Sequence, residues 1–314
     1  MSVKPALALA SPNANNPRIE HGMMLIAASA FMAPAGHAIS KILDGLSAGE
    51  TAWARFFLQF VFLLPFFWPA FRAGLAAPSL TQVVRGGLLA MSTLSFFWAL
   101  RYMPLANAAA IFYVEPLILT AISALFLGEP IGWRRSSAVA VGFLGVLIVI
   151  RPGFDGVGLA ALLPLACALC FAIYMAITRH KTAAETALAA QFWSSLFSAI
   201  ILSLAIGIGG RFSPNVLGAS WPTLREACLL GLMAAISLGT QRLLIQALRM
   251  APASVLAPLQ YIEILGAIIV GAVLFGDVPD AITSLGIVIV VGAGLYVFRR
   301  EQLLARRNST VAGY

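Results

Sequence analysis

The sequence predicts an all-α polytopic membrane protein, with ten transmembrane helices arranged as two inverted five-helix repeats. Three observations carry this. The 314-residue chain is 61% hydrophobic and 10% charged, with a mean hydropathy of +0.93, far outside the range of soluble domains. Its apolar residues fall in ten continuous runs. Two stretches of about thirty residues also match one another, without a gap, at a constant separation of 148 positions.

The ten runs lie at about 21–40, 50–70, 83–100, 106–127, 135–150, 156–178, 185–208, 224–248, 253–275 and 280–298. A helix needs about 20 apolar residues to cross about 30 Å of hydrocarbon, whereas barrel strands would show alternating segments of about 10. Residues 1–20 read as a cytoplasmic tail, 21–150 as the first repeat, 156–298 as the second, and 299–314 as a basic cytoplasmic tail. The apolar stretch Pro5–Ala10 is too short for the core of a signal peptide. With the N-terminus inside, 13 Lys and Arg residues, Arg72, Arg85, Arg179, Lys181 and Arg249 among them, fall on one set of helix ends. Lys41, Arg101, Arg151, Arg211 and Arg225 fall on the other. Retention of basic residues on the cytoplasmic side then places both termini in the cytoplasm and the chain in the cytoplasmic (inner) membrane. The net charge of +8 is mostly this asymmetry, and charges scattered over loops exclude nucleic acid as a partner. Five spans per half is an odd number, so the second half enters the membrane in the opposite sense.

The duplicated stretches pair Ala99 with Ala247, Pro104 with Pro252, Tyr113 with Tyr261, Glu115 with Glu263, Gly128 with Gly276 and Glu129 with Asp277. Glu115 and Glu263 lie near the middle of their runs, where a charge costs at least about 2.5 kcal/mol unless it is protonated, paired or hydrated. They are read either as proton-coupling or cargo-binding acids, or as structural groups hydrogen-bonded between helices at the two-fold interface. Pro104, Pro116, Pro252 and Pro258 predict broken or bent helices around them.

Other polar residues fall inside the apolar runs. Arg55 with Gln59, and Arg242 with Gln246, are i, i+4 pairs on the second and eighth runs. Either arginine could neutralise a glutamate or hold an anionic group, and Arg55 could instead snorkel to the interface. His37 follows Pro34 and Gly36 near the outer end of the first run, where it either titrates during a cycle or sits at the interface. Cys167 and Cys170 lie inside the sixth run and read as packing residues. Ala138 with Gly142, and Ala267 with Gly271, permit close helix packing or a dimer face for a second copy. No His-x-x-x-His, paired-Asp or Gly-x-Ser-x-Gly pattern points to an enzyme, and no cofactor is expected.

The chain resembles the EamA family of the drug/metabolite transporter superfamily. The resemblance rests on Met103-Pro104 through Glu115-Pro116 to Leu127-Gly-Glu129-Pro130, on the copy from Ala251-Pro252 through Pro258 and Tyr261 to Phe275-Gly-Asp277, and on a Gly-rich last run ending at Arg300. Asp277 stands where the commonest pattern has Glu. The resemblance implies a central cavity between the first four helices of each half, with the fifth and tenth helices peripheral. It implies secondary transport of a small molecule by alternating access. The specific expectation is uptake of riboflavin or a similar flat aromatic metabolite, and the alternative is proton-driven export of amino acids or related metabolites. In that picture Tyr113 and Tyr261 stack the ring, Arg242 and its neighbouring glutamines hydrogen-bond it, and Glu115 or Glu263 couples protons.

Overall fold

The computed structural model describes residues 17–72, 78–127, 133–151, 158–181, 187–251 and 253–311. These form thirteen α-helices: α1 Pro17–Ile42, α2 Ala48–Arg72, α3 Leu80–Ala99, α4 Leu105–Phe112, α5 Glu115–Leu127, α6 Trp133–Ile150, α7 Leu162–Lys181, α8 Ala187–Gly209, α9 Pro214–Leu217, α10 Leu224–Met250, α11 Ala253–Gln260, α12 Ile262–Phe275 and α13 Ala281–Val311. Seven helical stretches among the described residues are long and apolar enough to cross a membrane, by length and composition. Leu105–Leu119 and Ser137–Ile150 are shorter apolar helices. α3 is less apolar because Gln82, Arg85, Ser92, Thr93 and Ser95 are buried along it. Arg85 therefore differs from its expected place among helix-end charges: it is 2% exposed, with its guanidinium 5.4 Å above the Tyr174 ring.

α1 packs on α10 and α12, α3 on α7 and α8, α2 on α8 and α10, α5 on α7, α4 on α12, and α6 on α13. Between apolar helices in lipid the attraction comes from close approach and interhelical hydrogen bonds, and both are present. α1 runs through Pro34 without interruption, and its ring presses on α12, where a Cβ at Gly266 would lie 3.0 Å from Pro34 Cγ. Ser29 Oγ donates to the Thr240 carbonyl (2.8 Å) and Ser198 Oγ to the Gly86 carbonyl (2.8 Å). Ala138 and Gly142 are buried within the chain, and a Cβ on Gly142 would lie 2.1 Å from Leu117 Cδ1. Ala267 and Gly271 are likewise buried, so both small-residue stripes are taken up by the protein's own helices.

The end of the bundle that holds the α1–α2 turn is tied together by polar contacts. Ser47 Oγ caps α2 by accepting from Glu50 N–H (3.0 Å) and donates to the Gly218 carbonyl (2.7 Å). The Glu50 carboxylate accepts from the Ser220 hydroxyl at 2.9 Å. Arg101 donates to the carbonyls of Leu43 and Leu46, both at 2.8 Å, in the turn that follows α1. Lys41, at the end of α1, pairs with Asp277 just beyond α12 at 2.6 Å. Gly276 makes that pair geometrically possible. It sits at φ +69°, ends α12 with its own N–H on the Ala272 carbonyl, and lets Asp277 N–H return to Gly271. A Cβ in that conformation costs about 1–2 kcal/mol, so Gly276→Ala is expected to lower the melting temperature of the detergent-solubilised protein. An unchanged melting temperature would refute that conformational role.

Arg151 pairs with Asp280, which also caps α13 by accepting from Thr283 N–H at 2.9 Å. The Arg151 guanidinium and these hydrogen bonds hold the Asp280 carboxyl below its ordinary value of 3.8. A depressed carboxyl contributes stability above its unfolded pKa and loses it as pH falls through the folded one. The Asp280→Asn variant should therefore match the parent's steepness of unfolding at neutral pH and show a shallower loss below about pH 4. Parallel acid-unfolding curves for the two proteins would contradict this.

Candidate functional site

The duplicated stretches are also where two helices break. α4 gives way to α5 at Tyr113-Val114, and α11 to α12 at Tyr261, so the two breaks fall at the matched tyrosines. Proline explains them: Pro116, at the second position of α5, and Pro258, inside α11, have no N–H to offer the preceding turn. The backbone tightens instead to i→i−3 bonds, Val114 to Ile111 (3.2 Å) and Leu117 to Val114 (2.9 Å). In the second copy the same bonds join Tyr261 to Pro258 (3.3 Å) and Ile264 to Tyr261 (3.1 Å). Each break delivers a tyrosine and, two positions on, a glutamate at the start of the following helix.

The two breaks meet. Tyr113 Oη donates to Glu263 Oε2 at 2.6 Å, and His37 Nδ1 lies 3.7 Å from Glu263 Oε1. The Tyr113 and Tyr261 rings are in contact, with centroids 5.4 Å apart and tilted by 43°. They touch each other rather than flank a gap, so no third ring fits between them. The Tyr261 hydroxyl is buried without a hydrogen-bond partner and points at α13, where a Cβ on Gly294 would lie 1.7 Å from it. Glu115 lies within electrostatic reach of Tyr113, Tyr261 and Cys167. The matched residues are thus crossed between the two copies, with one tyrosine–glutamate bond made and the Tyr261 hydroxyl unbonded.

Arg55 of α2 sits beside this cluster, within electrostatic reach of both His37 and Glu263. Its guanidinium lies 5.6 Å above the Phe56 ring and 5.8 Å above Phe97. Gln59, one turn on, is 3% exposed. Aromatic rings wall the region: Phe96 lies 4.9 Å from the His37 ring and 6.0 Å from Phe112, which in turn lies 5.6 Å from Phe171. Of the residues singled out in the sequence, the structure brings together His37, Arg55, Tyr113, Glu115, Tyr261 and Glu263. Arg242 and Gln246 are exposed on α10, with the Arg242 guanidinium 5.5 Å above Phe66 and outside these contacts. Sequence reasoning missed Phe171 and the pairing of Ser92 with Cys167, whose Oγ and Sγ lie 3.2 Å apart. It also missed the Lys41–Asp277 pair, for which the duplicated Gly-Asp was an available signal. Among the described residues no cluster of His, Cys, Asp and Glu could hold a metal ion.

Comparison with known proteins adds to this geometry. The profile of the EamA-like transporter family matches residues 21–151 and 158–299. The chain is 30% identical to a riboflavin transporter of Rhizobium johnstonii, over 83% of this chain and 84% of that protein. It is 28% identical to an S-adenosylmethionine uptake transporter of Rickettsia bellii, over 85% and 90% respectively. It is also 28% identical to the pseudopaline exporter CntI of Pseudomonas aeruginosa, over 70% and 75%. A crystal structure with 18% identity superposes with a TM-score of 0.57, covering 92% of this chain and 98% of its own, and so shares the fold.

Proposed function

This chain belongs to the EamA-like transporter family, and from that premise we propose a carrier that moves a small metabolite across the cytoplasmic membrane by alternating access. It is a multi-pass membrane transporter and not an enzyme. In the proposed arrangement the ten spans form two inverted repeats, with α4–α5 and α11–α12 as the broken fourth and ninth spans and both termini cytoplasmic. The packing supports this reading. Exchanging each helix for its counterpart in the other half turns α1 on α10 into α7 on α3, α1 on α12 into α7 on α5, and α2 on α10 into α8 on α3, and every one of these contacts is present. Inverted repeats place cargo at the repeat interface near the midplane, where the two broken helices cross.

The single observation that carries the reading is the Tyr113–Glu263 bond, a contact between the two copies at the paired helix breaks. The cargo proposed first is riboflavin or a similar flat aromatic metabolite, taken up into the cell, supported by the aromatic wall and by the Rhizobium relative. The second is proton-driven export of amino acids or related metabolites, favoured by the two midplane carboxylates and by the Pseudomonas relative. Glu115, Glu263, Tyr113, Tyr261, His37, Arg55 and Gln59 form the proposed site, with Arg242 and Gln246 beyond it.

Proteoliposomes loaded with and exposed to labelled riboflavin, S-adenosylmethionine or amino acids, with and without a pH gradient, test both readings. Saturable riboflavin counterflow is the expected result. Amino-acid movement driven by the gradient, without riboflavin counterflow, would replace the first cargo with the second. Flux that does not saturate would indicate a channel.

A further inference from the structure

Arg55 sits beside the Tyr113–Glu263 cluster, and although Glu263 is within electrostatic reach, no acceptor is bonded to its guanidinium. Among the described residues its guanidinium makes no hydrogen bond or ion pair, and its Nε is enclosed without an acceptor. Gln59, one turn along the same face of α2, is 3% exposed, and its Nε2 is likewise enclosed without an acceptor. The nearby carboxylate is already engaged: Glu263 Oε2 accepts from Tyr113, and Oε1 faces His37. Donors held this way in a membrane interior are expensive unless something with acceptor oxygens meets them. Phe56 and Phe97 lie over the guanidinium and restrict it, leaving its edge as the donor surface.

We infer that Arg55 and Gln59 form a subsite for a carboxylate on the cargo. A guanidinium edge and an amide N–H one helical turn apart match the two oxygens of a planar carboxylate, and the charge of Arg55 asks for an anion rather than a neutral carbonyl. The inference rests on the carrier reading above and narrows it. Among flat ring compounds it favours those that carry a carboxylate, the ring against Phe96 and Phe112 and the carboxylate on α2. Within the class already proposed, members bearing an amino-acid group move ahead of riboflavin, which has no carboxylate.

The test uses the full-length protein in proteoliposomes, with L-tryptophan and tryptamine as probes. They share a ring and an amine and differ in the carboxylate. The wild type should exchange L-tryptophan at concentrations roughly tenfold or more below those needed for tryptamine, as expected for a charge-assisted hydrogen bond. Arg55→Gln should bring the concentrations needed for the two probes together, Gln59→Leu should weaken the preference, and Arg55→Lys should retain part of it. Equal exchange of both probes by the wild type, or an undiminished preference in Arg55→Gln, overturns the subsite while leaving the carrier intact. The wild-type comparison decides even if Arg55→Gln does not fold. Exchange of neither probe overturns the subsite, and the absence of saturable exchange for riboflavin, S-adenosylmethionine and amino acids alike overturns the carrier reading as well.

Discussion

Tyr113→Phe is expected to shift the balance between the two proposed facing states of the carrier by about five- to a hundredfold, because it removes a buried hydrogen bond and leaves its partner unsatisfied, at a cost of about 1–3 kcal/mol. The bond exists in the state described here, at 2.6 Å from Tyr113 Oη to Glu263, so its loss weakens this state. Tyr261→Phe should act in the opposite direction. The Tyr261 hydroxyl has no hydrogen-bond partner in this state, and removing it costs this state little. In the proposed arrangement of inverted repeats, an exchange of conformations would pass the crossed bond from Tyr113–Glu263 to Tyr261–Glu115, and Tyr261→Phe would then weaken the other state. Cysteine labelling from each side of the membrane, at a position exposed in one state only, reads the balance directly. Shifts of the same sign in both variants would sink the exchange. Glu263→Gln and Glu115→Gln separate coupling from packing: if both keep counterflow and proton-dependent flux, the acids are structural.

Gly86→Val is expected to cost the chain its fold, whereas Gly87→Ala should be tolerated. A Cβ at Gly86 would lie 2.6 Å from Phe197 Cβ and 3.0 Å from the Ser198 backbone nitrogen. Neither is the movable tip of a side chain, so α3 and α8 must separate. Separation also breaks the hydrogen bond from Ser198 Oγ to the Gly86 carbonyl. Overpacking of this kind costs about 1–3 kcal/mol and occasionally more, and a branched side chain enlarges the overlap. One residue along, a Cβ at Gly87 meets only Ile201 Cδ1, at 3.4 Å. The yield of monodisperse protein in detergent, followed by its melting temperature, separates the two variants. Equal yields would show that the α3–α8 approach is not what holds these helices.

The helices were legible because lipid imposes a length and a polarity on any segment that crosses it, and helix accounts for most of each apolar run where described, with breaks at Tyr113-Val114 and Tyr261. The breaks were half legible: Pro116 and Pro258 announced them, but the tightening at Tyr113 and Tyr261 is a backbone adjustment that no single residue encodes. The sequence named Tyr113, Tyr261 and both glutamates, yet it did not show that a tyrosine of one copy would bond a glutamate of the other. Crossing is a property of how two helices register in space. Arg85 was read as a helix-end charge because it is the third residue of the apolar run at about 83–100. Its burial over Tyr174 follows from α3 lying inside the bundle, a fact about neighbours. Arg242, expected at the site from its depth in the eighth run, has an exposed side chain over Phe66.

The α6–α13 contact has the character of an axle. A Cβ at Gly286 would lie 2.8 Å from the Gly145 carbonyl oxygen and 2.6 Å from Val149 Cγ2, and one at Gly145 would lie 3.1 Å from the Gly286 carbonyl oxygen. Two backbones this close have no side-chain slack between them, so the helices cannot shear past each other without opening a void. A lever needs such a fixed line. In the proposed alternating-access cycle, a locked α6–α13 pair would be the line against which the remaining helices rock.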